Sequence, residues 1–234
     1  TLTENKMVLV SVITDAGRDD FKTHENPLPE NDDLPMSEEL LKIGILCNNA
    51  ELATSRATPW SHQAGDYGVG DPMELALLAA GMQRGLAKTD LQQQYPRHHE
   101  EAFDSDVKMM ATVHHGPEGN GSFLFAVKGA AEPVLASCAM LHGSEGLVPM
   151  GNELRQHWLD ENQKLANVGF RVLAVASKTG NDPDAAPYED LGLLGLVCYM
   201  DPPRSDIPGA IKSCQRAGIR VVMVTGDQAG TALH

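Results

Sequence analysis

Two short stretches carry groups whose types and spacing suit the handling of an anion. Residues 221–227 read VVMVTGD, an apolar run that ends in Thr225, Gly226 and Asp227. At the carboxyl end of a buried parallel strand, a glycine lets the backbone approach a phosphate, a threonine offers a hydroxyl, and an aspartate holds water or a metal's hydration shell. The same triad also serves as a plain strand-to-turn junction. Residues 127–132 read VKGAAE, with Lys128 closing one apolar run just before a helix start. A lysine with a buried stem and its ammonium in a cleft meets an anion there, and on a surface it does nothing special. Phe103 is either core or a flat face for stacking, Glu74 lies on an expected helix, and Arg171 interrupts an otherwise apolar strand, so that one side of that strand is open. His98-His99 and His114-His115 are adjacent pairs. Neighbours on a strand point to opposite faces, so neither pair is placed to chelate one ion.

The elements that must position these groups can be read in order. Residues 6–14 (KMVLVSVIT) form a strand, and the acidic, proline-containing stretch to Pro35 is a loop. Ser37 opens a helix with Glu39 in its first turn. Residues 56–70 are loop. Asp71-Pro72 caps and starts a helix that runs to Gly85, and a shorter one occupies 88–94. Residues 107–115 and 122–128 flank a glycine-rich turn and make a hairpin. Helices follow at 131–138 and 152–167, and strands at 170–177 and 191–199. The last forty residues read as strand, helix (205–217) and strand (219–225), a βαβ unit with a parallel sheet. The fold class expected is therefore α+β, a mostly antiparallel sheet with flanking helices, inserted in a fragment of a doubly wound parallel α/β domain.

Composition excludes several classes. The chain has 234 residues, 42% hydrophobic and 21% charged, which is ordinary for a globular protein. Its net charge of −14 argues against non-specific binding of nucleic acid, which rests on many Lys and Arg contacts to phosphate. Residues 15–40 hold nine acids against two bases, half of the excess, and read as a solvated linker or exposed insert. The longest apolar stretch, 191–200, is far short of the ~20 residues a membrane-spanning helix needs. No secretory signal opens the chain. Four cysteines without a CxxC pair suggest reduced, mostly buried thiols rather than zinc or a disulfide framework.

Taken together, TLTENKM (1–7), GDPMELAL (70–77), AFDSDVKMM (102–110), KGAAE (128–132), GFRVLAVA (169–176), DPPR (201–204) and MVTGD (223–227) resemble, in order and spacing, the cytoplasmic catalytic part of P-type cation-transporting ATPases of the calcium-pump-like branch. The resemblance spans nearly the whole chain. It implies a nucleotide-binding domain at 11–193, flanked at 1–10 and 194–234 by pieces of a phosphorylation domain of haloacid-dehalogenase type, with hinge strands near 11–15 and 191–195, ATP as ligand and Mg²⁺ arriving with the nucleotide. By position, Phe103 matches the aromatic that stacks on adenine, and Glu74 the acid beside the adenine amino group. Lys128 matches the lysine on the pocket floor, and Lys108 the one beside the phosphates. Arg171 matches the arginine at the phosphate or ribose, and Leu173, on the same strand face, packs on the base. Thr225, Gly226 and Asp227 match residues at the γ-phosphate and its Mg²⁺. No metal ligand is expected from the chain itself.

The family's phosphorylated aspartate lies in Asp-Lys-Thr-Gly-Thr, whose last residue Thr1 matches. The aspartate falls four positions earlier, and the expectation is that these 234 residues alone form no phosphoenzyme and do not turn over. Two positions depart from the family: Ala131 stands where proline is usual, and Ser105 where a base is frequent. ATP affinity is expected to be modest, high micromolar to millimolar, since each missing contact to a charged group costs ~1.5–3 kcal/mol. The resemblance also implies a cytoplasmic domain of an integral membrane protein. Its partners would be its own phosphorylation, actuator and transmembrane domains, without contact to the bilayer. Two rival readings are a haloacid-dehalogenase-type phosphatase fragment and a non-catalytic interaction domain with the 15–40 segment as its docking surface.

Overall fold

The structure is a computed structural model that describes residues 2–3, 6–21, 35–53, 68–117, 121–202, 204 and 206–222. Thr225, Gly226 and Asp227 lie outside the described residues, as does most of the 56–70 loop. The chain opens with β1 (Val8–Thr14) and β2 (Gly17–Asp20). Helix α1 (Pro35–Leu46) follows, then the short pair β3 (Glu51–Leu52) and β4 (Gly68–Val69), then α2 (Pro72–Gln83) and α3 (Lys88–Gln94). The strands β5 (Arg97–Asp104), β6 (Met109–His115) and β7 (Phe123–Gly129) come next. Then come α4 (Ala131–Ser137), β8 (Cys138–Gly143), β9 (Gly146–Pro149), α5 (Asn152–Asn167), β10 (Arg171–Gly180), β11 (Leu191–Met200) and α6 (Ile207–Arg216).

Among the described residues nine strands form one sheet with the path β2-β1-β11-β10-β7-β6-β5, and β8 and β9 join it through β11. Every pairing along that path is antiparallel, and the parallel contact is β8 with the start of β11. Helices cover both faces. Leu40, Leu41, Ile43 and Ile45 of α1 and Leu75, Leu77 and Leu78 of α2 pack with Met110, Val175 and Val197 on one side. Val134 and Leu135 of α4 and Trp158 and Leu165 of α5 pack with Ala111, Val127, Ala174 and Leu196 on the other. The alternation of the strands sorts these residues onto opposite faces, so the sheet carries two apolar cores.

The local signals for α2 are visible in its cap. Asp71 accepts from the Met73 and Glu74 amides, and Pro72 fills the first turn, where its missing N–H is harmless. Helices α3 and α5 keep the bounds expected of them, and β6 and β7 pair from Met109↔Gly129 to His115↔Phe123 as a hairpin.

Three readings change. The stretch after Thr14 is not all loop: β2 folds back on β1 through a two-residue turn, with Thr14 opposite Gly17. Nor is the acidic segment wholly solvated, because Asp19 is buried against Arg84 at 2.7 Å and Phe21 is buried beside it. Strands β3, β4, β5, β8 and β9 are additions, with β4 at the end of the stretch read as the 56–70 loop. Finally, among the described residues the 191–199 strand opens no parallel βαβ unit, and 223–225 of the expected second strand lie outside the described residues. β11 lies between β1 and β10, antiparallel to both, and residues 219–222 belong to no strand. Its apolar sequence reflects helices on both faces, which bury a central antiparallel strand as fully as a parallel one. The α6 helix has no buried residue among those described. The expected hinge segments 11–15 and 191–195 are mostly inside this sheet, with Ile13 opposite Leu196 and Val175 opposite Gly195. Where β1 and β11 leave the sheet they stay together: the Lys6 amide donates to Asp201 Oδ1 at 3.2 Å, and the Arg204 amide to the Leu2 carbonyl at 3.0 Å.

Candidate functional site

The C-terminus of α1 faces the α1/α2 side of the sheet, and its carbonyls point at cations from other elements. Helix α1 has no basic residue in its own last turn. Carbonyls at a helix end favour positive charge, and here the charge is imported. Lys128, on β7, donates to the Cys47 carbonyl at 2.5 Å. Arg97, on β5, donates to the Leu46 and Asn48 carbonyls at 3.2 and 2.9 Å. Lys88, on α3, donates to the Ala50 carbonyl at 2.7 Å. Burial of its stem holds the Lys88 ammonium below the usual lysine range.

Glu74 completes the arrangement from the third position of α2. Its Oε1 accepts from Lys128 Nζ at 2.6 Å, and its Oε2 accepts from the Asn49 and Ala50 amides at 3.1 Å each. Lys128 is 6% exposed, so this is a nearly buried ion pair with further hydrogen bonds on both partners. Placement at the N-terminus of α2 adds favourable helix-dipole potential for the carboxylate.

Around the pair, the sheet register sets the other expected site residues. Met110, Lys128 and Val175 are direct cross-strand neighbours and share one face. Leu173, two residues before Val175, lies on that face, half-buried against the same core. Arg171, two residues earlier again and opposite Tyr199, is exposed. Phe103 and Lys108 sit at the end of β5 and in the β5–β6 turn, where Asp104 pairs with Met109 and Met109 with Gly129. Phe103 is 63% exposed, which rules out the core reading of this ring. Lys108 adopts φ 58°, and a Cβ on Gly129 would stand 2.4 Å from the Lys108 carbonyl oxygen. The glycine of KGAAE is what lets that turn lie against β7. Thus the structure joins Glu74 to Lys128 directly, aligns Leu173 and Arg171 on the same sheet face, and sets Phe103 and Lys108 on the neighbouring hairpin.

Some participants escaped the sequence. Cys47, Asn48, Asn49, Arg97 and Glu100 belong to the same polar network, with Arg97 donating to both Asn49 Oδ1 and Glu100 Oε2 at 2.6 Å. The CNN triplet after α1 is the signal that could have marked them. Beneath Arg97, His114 is fully buried between the Tyr95 carbonyl (2.9 Å) and Thr112 Oγ1 (2.8 Å). Burial, with Arg97 adding to it, pushes this imidazole down to about 4. Desolvation likewise pushes the Cys47 thiol up, and Cys47, Cys138 and Cys198 are all free and buried.

His114 and His115 lie on opposite faces as expected, one buried and one exposed, but the other histidine pair departs from expectation. A register shift between Arg97 and His99 brings His98 and His99 together, Nδ1 to Nδ1 at 3.0 Å, instead of onto opposite faces. Among the described residues no three His, Cys, Asp or Glu side chains converge as a metal site. Cavities of about 420 Å³ beside Lys42 and Tyr95 and about 380 Å³ beside Leu52 and Met82 are lined by none of the expected site residues.

Comparison with known proteins agrees with the fold. Residues 36–206 match the family described as P-type ATPase, cytoplasmic domain N. The chain is 33% identical over 235 residues to Calcium-transporting ATPase 1 of Bacillus cereus, covering 99% of this chain and 24% of that protein. It is 37% identical over 205 residues to the cation-transporting ATPase pma1 of Synechocystis sp. (85% of this chain, 21% of that protein). It is 30% identical over 246 residues to Calcium-transporting ATPase type 2C member 1 of Bos taurus (100% and 24%). The chain spans about a quarter of the length of these relatives. Among the described residues no helix is long and apolar enough to cross a membrane. The chain belongs to the P-type cation-transporting ATPases and carries their cytoplasmic N domain.

Proposed function

We propose that this domain binds ATP over the Lys128–Glu74 pair and presents its γ-phosphate for transfer to an aspartate of the longer transporter. The observation that carries the reading is the pair itself. A buried ammonium and carboxylate from β7 and α2 form a polar floor, with an exposed aromatic ring on the adjoining hairpin and a guanidinium on the same sheet face. The Phe103 ring would stack on adenine. Glu74 would accept from the adenine amino group, and Leu173 would pack on the base. Lys108 and Arg171, both exposed, would neutralise phosphate charge. Lys128, already matched by Glu74, would orient the floor rather than meet the phosphates. Mg²⁺ would travel on the nucleotide's own oxygens, and Thr225, Gly226 and Asp227 would meet the γ-phosphate end. In the whole protein such positioning, together with charge neutralisation, is what phosphoryl transfer requires, and the chemistry would drive cation transport. The other partners would be the transporter's phosphorylation, actuator and membrane domains.

We place the moving joint where β1 and β11 leave the sheet, at Lys6 and Asp201, since 11–15 and 191–195 are held by ladder pairing. The flanking pieces outside that joint would then shrink from 1–10 and 194–234 to about 1–6 and 201–234, with residues 8–10 and 194–200 kept in the sheet of this domain. Amide chemical-shift titration of the ¹⁵N-labelled chain with ATP tests the site. Shifts clustered at Phe103, Lys108, Lys128 and Arg171 are expected. Shifts confined to the Asp227 region would favour the phosphatase reading, and none at millimolar ATP would remove the proposal.

A further inference from the structure

The segment between α1 and β3 is gripped from two sides. Toward α2, the Asn49 and Ala50 amides donate to Glu74 Oε2 at 3.1 Å each. Away from α2, the Asn49 side chain sits in a closed ring. Arg97 Nη1 donates to Asn49 Oδ1 at 2.6 Å, Asn49 Nδ2 donates to Glu100 Oε1 at 3.1 Å, and the same Arg97 nitrogen donates to Glu100 Oε2 at 2.6 Å. The other terminal nitrogen of Arg97 holds the Leu46 and Asn48 carbonyls. One guanidinium on β5, the strand that ends in Phe103, therefore fixes the backbone that orients the Glu74 carboxylate.

A carboxylate has about four acceptor directions. Lys128 and the two amides occupy three of those on Glu74, leaving one for a ligand donor. We infer that Arg97 is a positioning residue for base selectivity: by fixing Asn49 it keeps that last acceptor direction aimed, so that the site favours a purine bearing an amino group at C6 over one bearing an oxo group. An oxo group there would set acceptor against acceptor. This inference rests on the ATP reading above.

The test compares dissociation constants for ATP and ITP, which differ in the C6 amino or oxo group and in the N1 hydrogen that accompanies the oxo form, in the unaltered chain and in R97A, R97K and N49A. The unaltered chain is expected to prefer ATP by about tenfold or more, as one hydrogen bond to a charged acceptor supplies. R97A should reduce the ratio to about twofold or less, with ITP affinity nearly unchanged. R97K, a point charge without the fork, should fall between. N49A removes the side-chain carboxamide held by Arg97 and Glu100 while keeping the backbone N–H to Glu74 and the Arg97 bonds to the two carbonyls, and carries the test if R97A does not fold. A merely structural role would weaken both nucleotides together; an unchanged ATP/ITP ratio in folded variants overturns the inference while the ATP reading stands. Equal affinity of the unaltered chain for both nucleotides also overturns it. Binding of neither removes both readings.

Discussion

Cutting the Lys128–Glu74 pair from its two sides should give unequal results. Replacing Lys128 by Met leaves Glu74 with its two amide donors and its place in the first turn of α2. The carboxylate stays partly compensated, although its Oε1 and the Cys47 carbonyl each lose a donor. We expect K128M to cost about 2–3 kcal/mol. Replacing Glu74 by Ala strands an ammonium that is 6% exposed with a single carbonyl partner, and also takes the shared acceptor from Asn49 and Ala50. Loss of one partner of a buried pair costs about 3–5 kcal/mol. The double variant E74A/K128M leaves no stranded charge. It should be less destabilised than the sum of the singles by about 1.5 kcal/mol or more, a coupling that double-mutant cycles resolve. Urea unfolding followed by fluorescence suits the assay, because Trp158 is buried in the opposite core and reports global unfolding without touching the site. Additive single effects, or a K128M penalty equal to or above that of E74A, would refute the reasoning.

Two further outcomes are expected. His114 stays neutral in the folded chain down to about 4, against 6.5 for its ordinary value. As pH falls through 6.5 the unfolded chain gains a proton that the folded chain refuses, so stability present above 6.5 is lost progressively toward 4. Between pH 7 and 5 the loss is about 2 kcal/mol at ~1.4 kcal/mol per pH unit, and in denaturant titrations H114Q should lack that part of the slope. In G129A a Cβ would meet the Lys108 carbonyl at 2.4 Å and the Met109 Cα at 2.9 Å. Overpacking of this kind should destabilise by about 1–3 kcal/mol, with amide shifts concentrated in residues 104–110.

Most helices were legible because their ends are chemical. Asp71 and Pro72 mark one start, and α3 and α5 have the lengths their patterns suggest. The missed strand β5 (RHHEEAFD) shows why others were not: it is charged and mostly exposed, and its conformation comes from pairing with β6 rather than from its own burial. β11 was recognised as a strand but given the wrong partners, since an apolar run reports that both faces are covered and says nothing of strand direction. At the candidate site, the residues were proposed from the resemblance alone, and the 2.6 Å contact between Glu74 and Lys128 joins α2 to β7 across 54 positions, which no spacing rule anticipates. Arg97 was hidden for the same reason β5 was, as one more charge in a charged run.

The two chain segments that leave the sheet run side by side, tied from Lys6 to Asp201 and from Leu2 to Arg204. A body hung from one strand could swivel freely about it. Hung from two adjacent strands, it keeps one soft bending axis while twisting is resisted, much as a door is held by a pair of leaves. Whatever sits on the Phe103 hairpin would then be swept along one arc rather than a cone, and delivery to a fixed acceptor would need the crossing of one angle instead of a search over three.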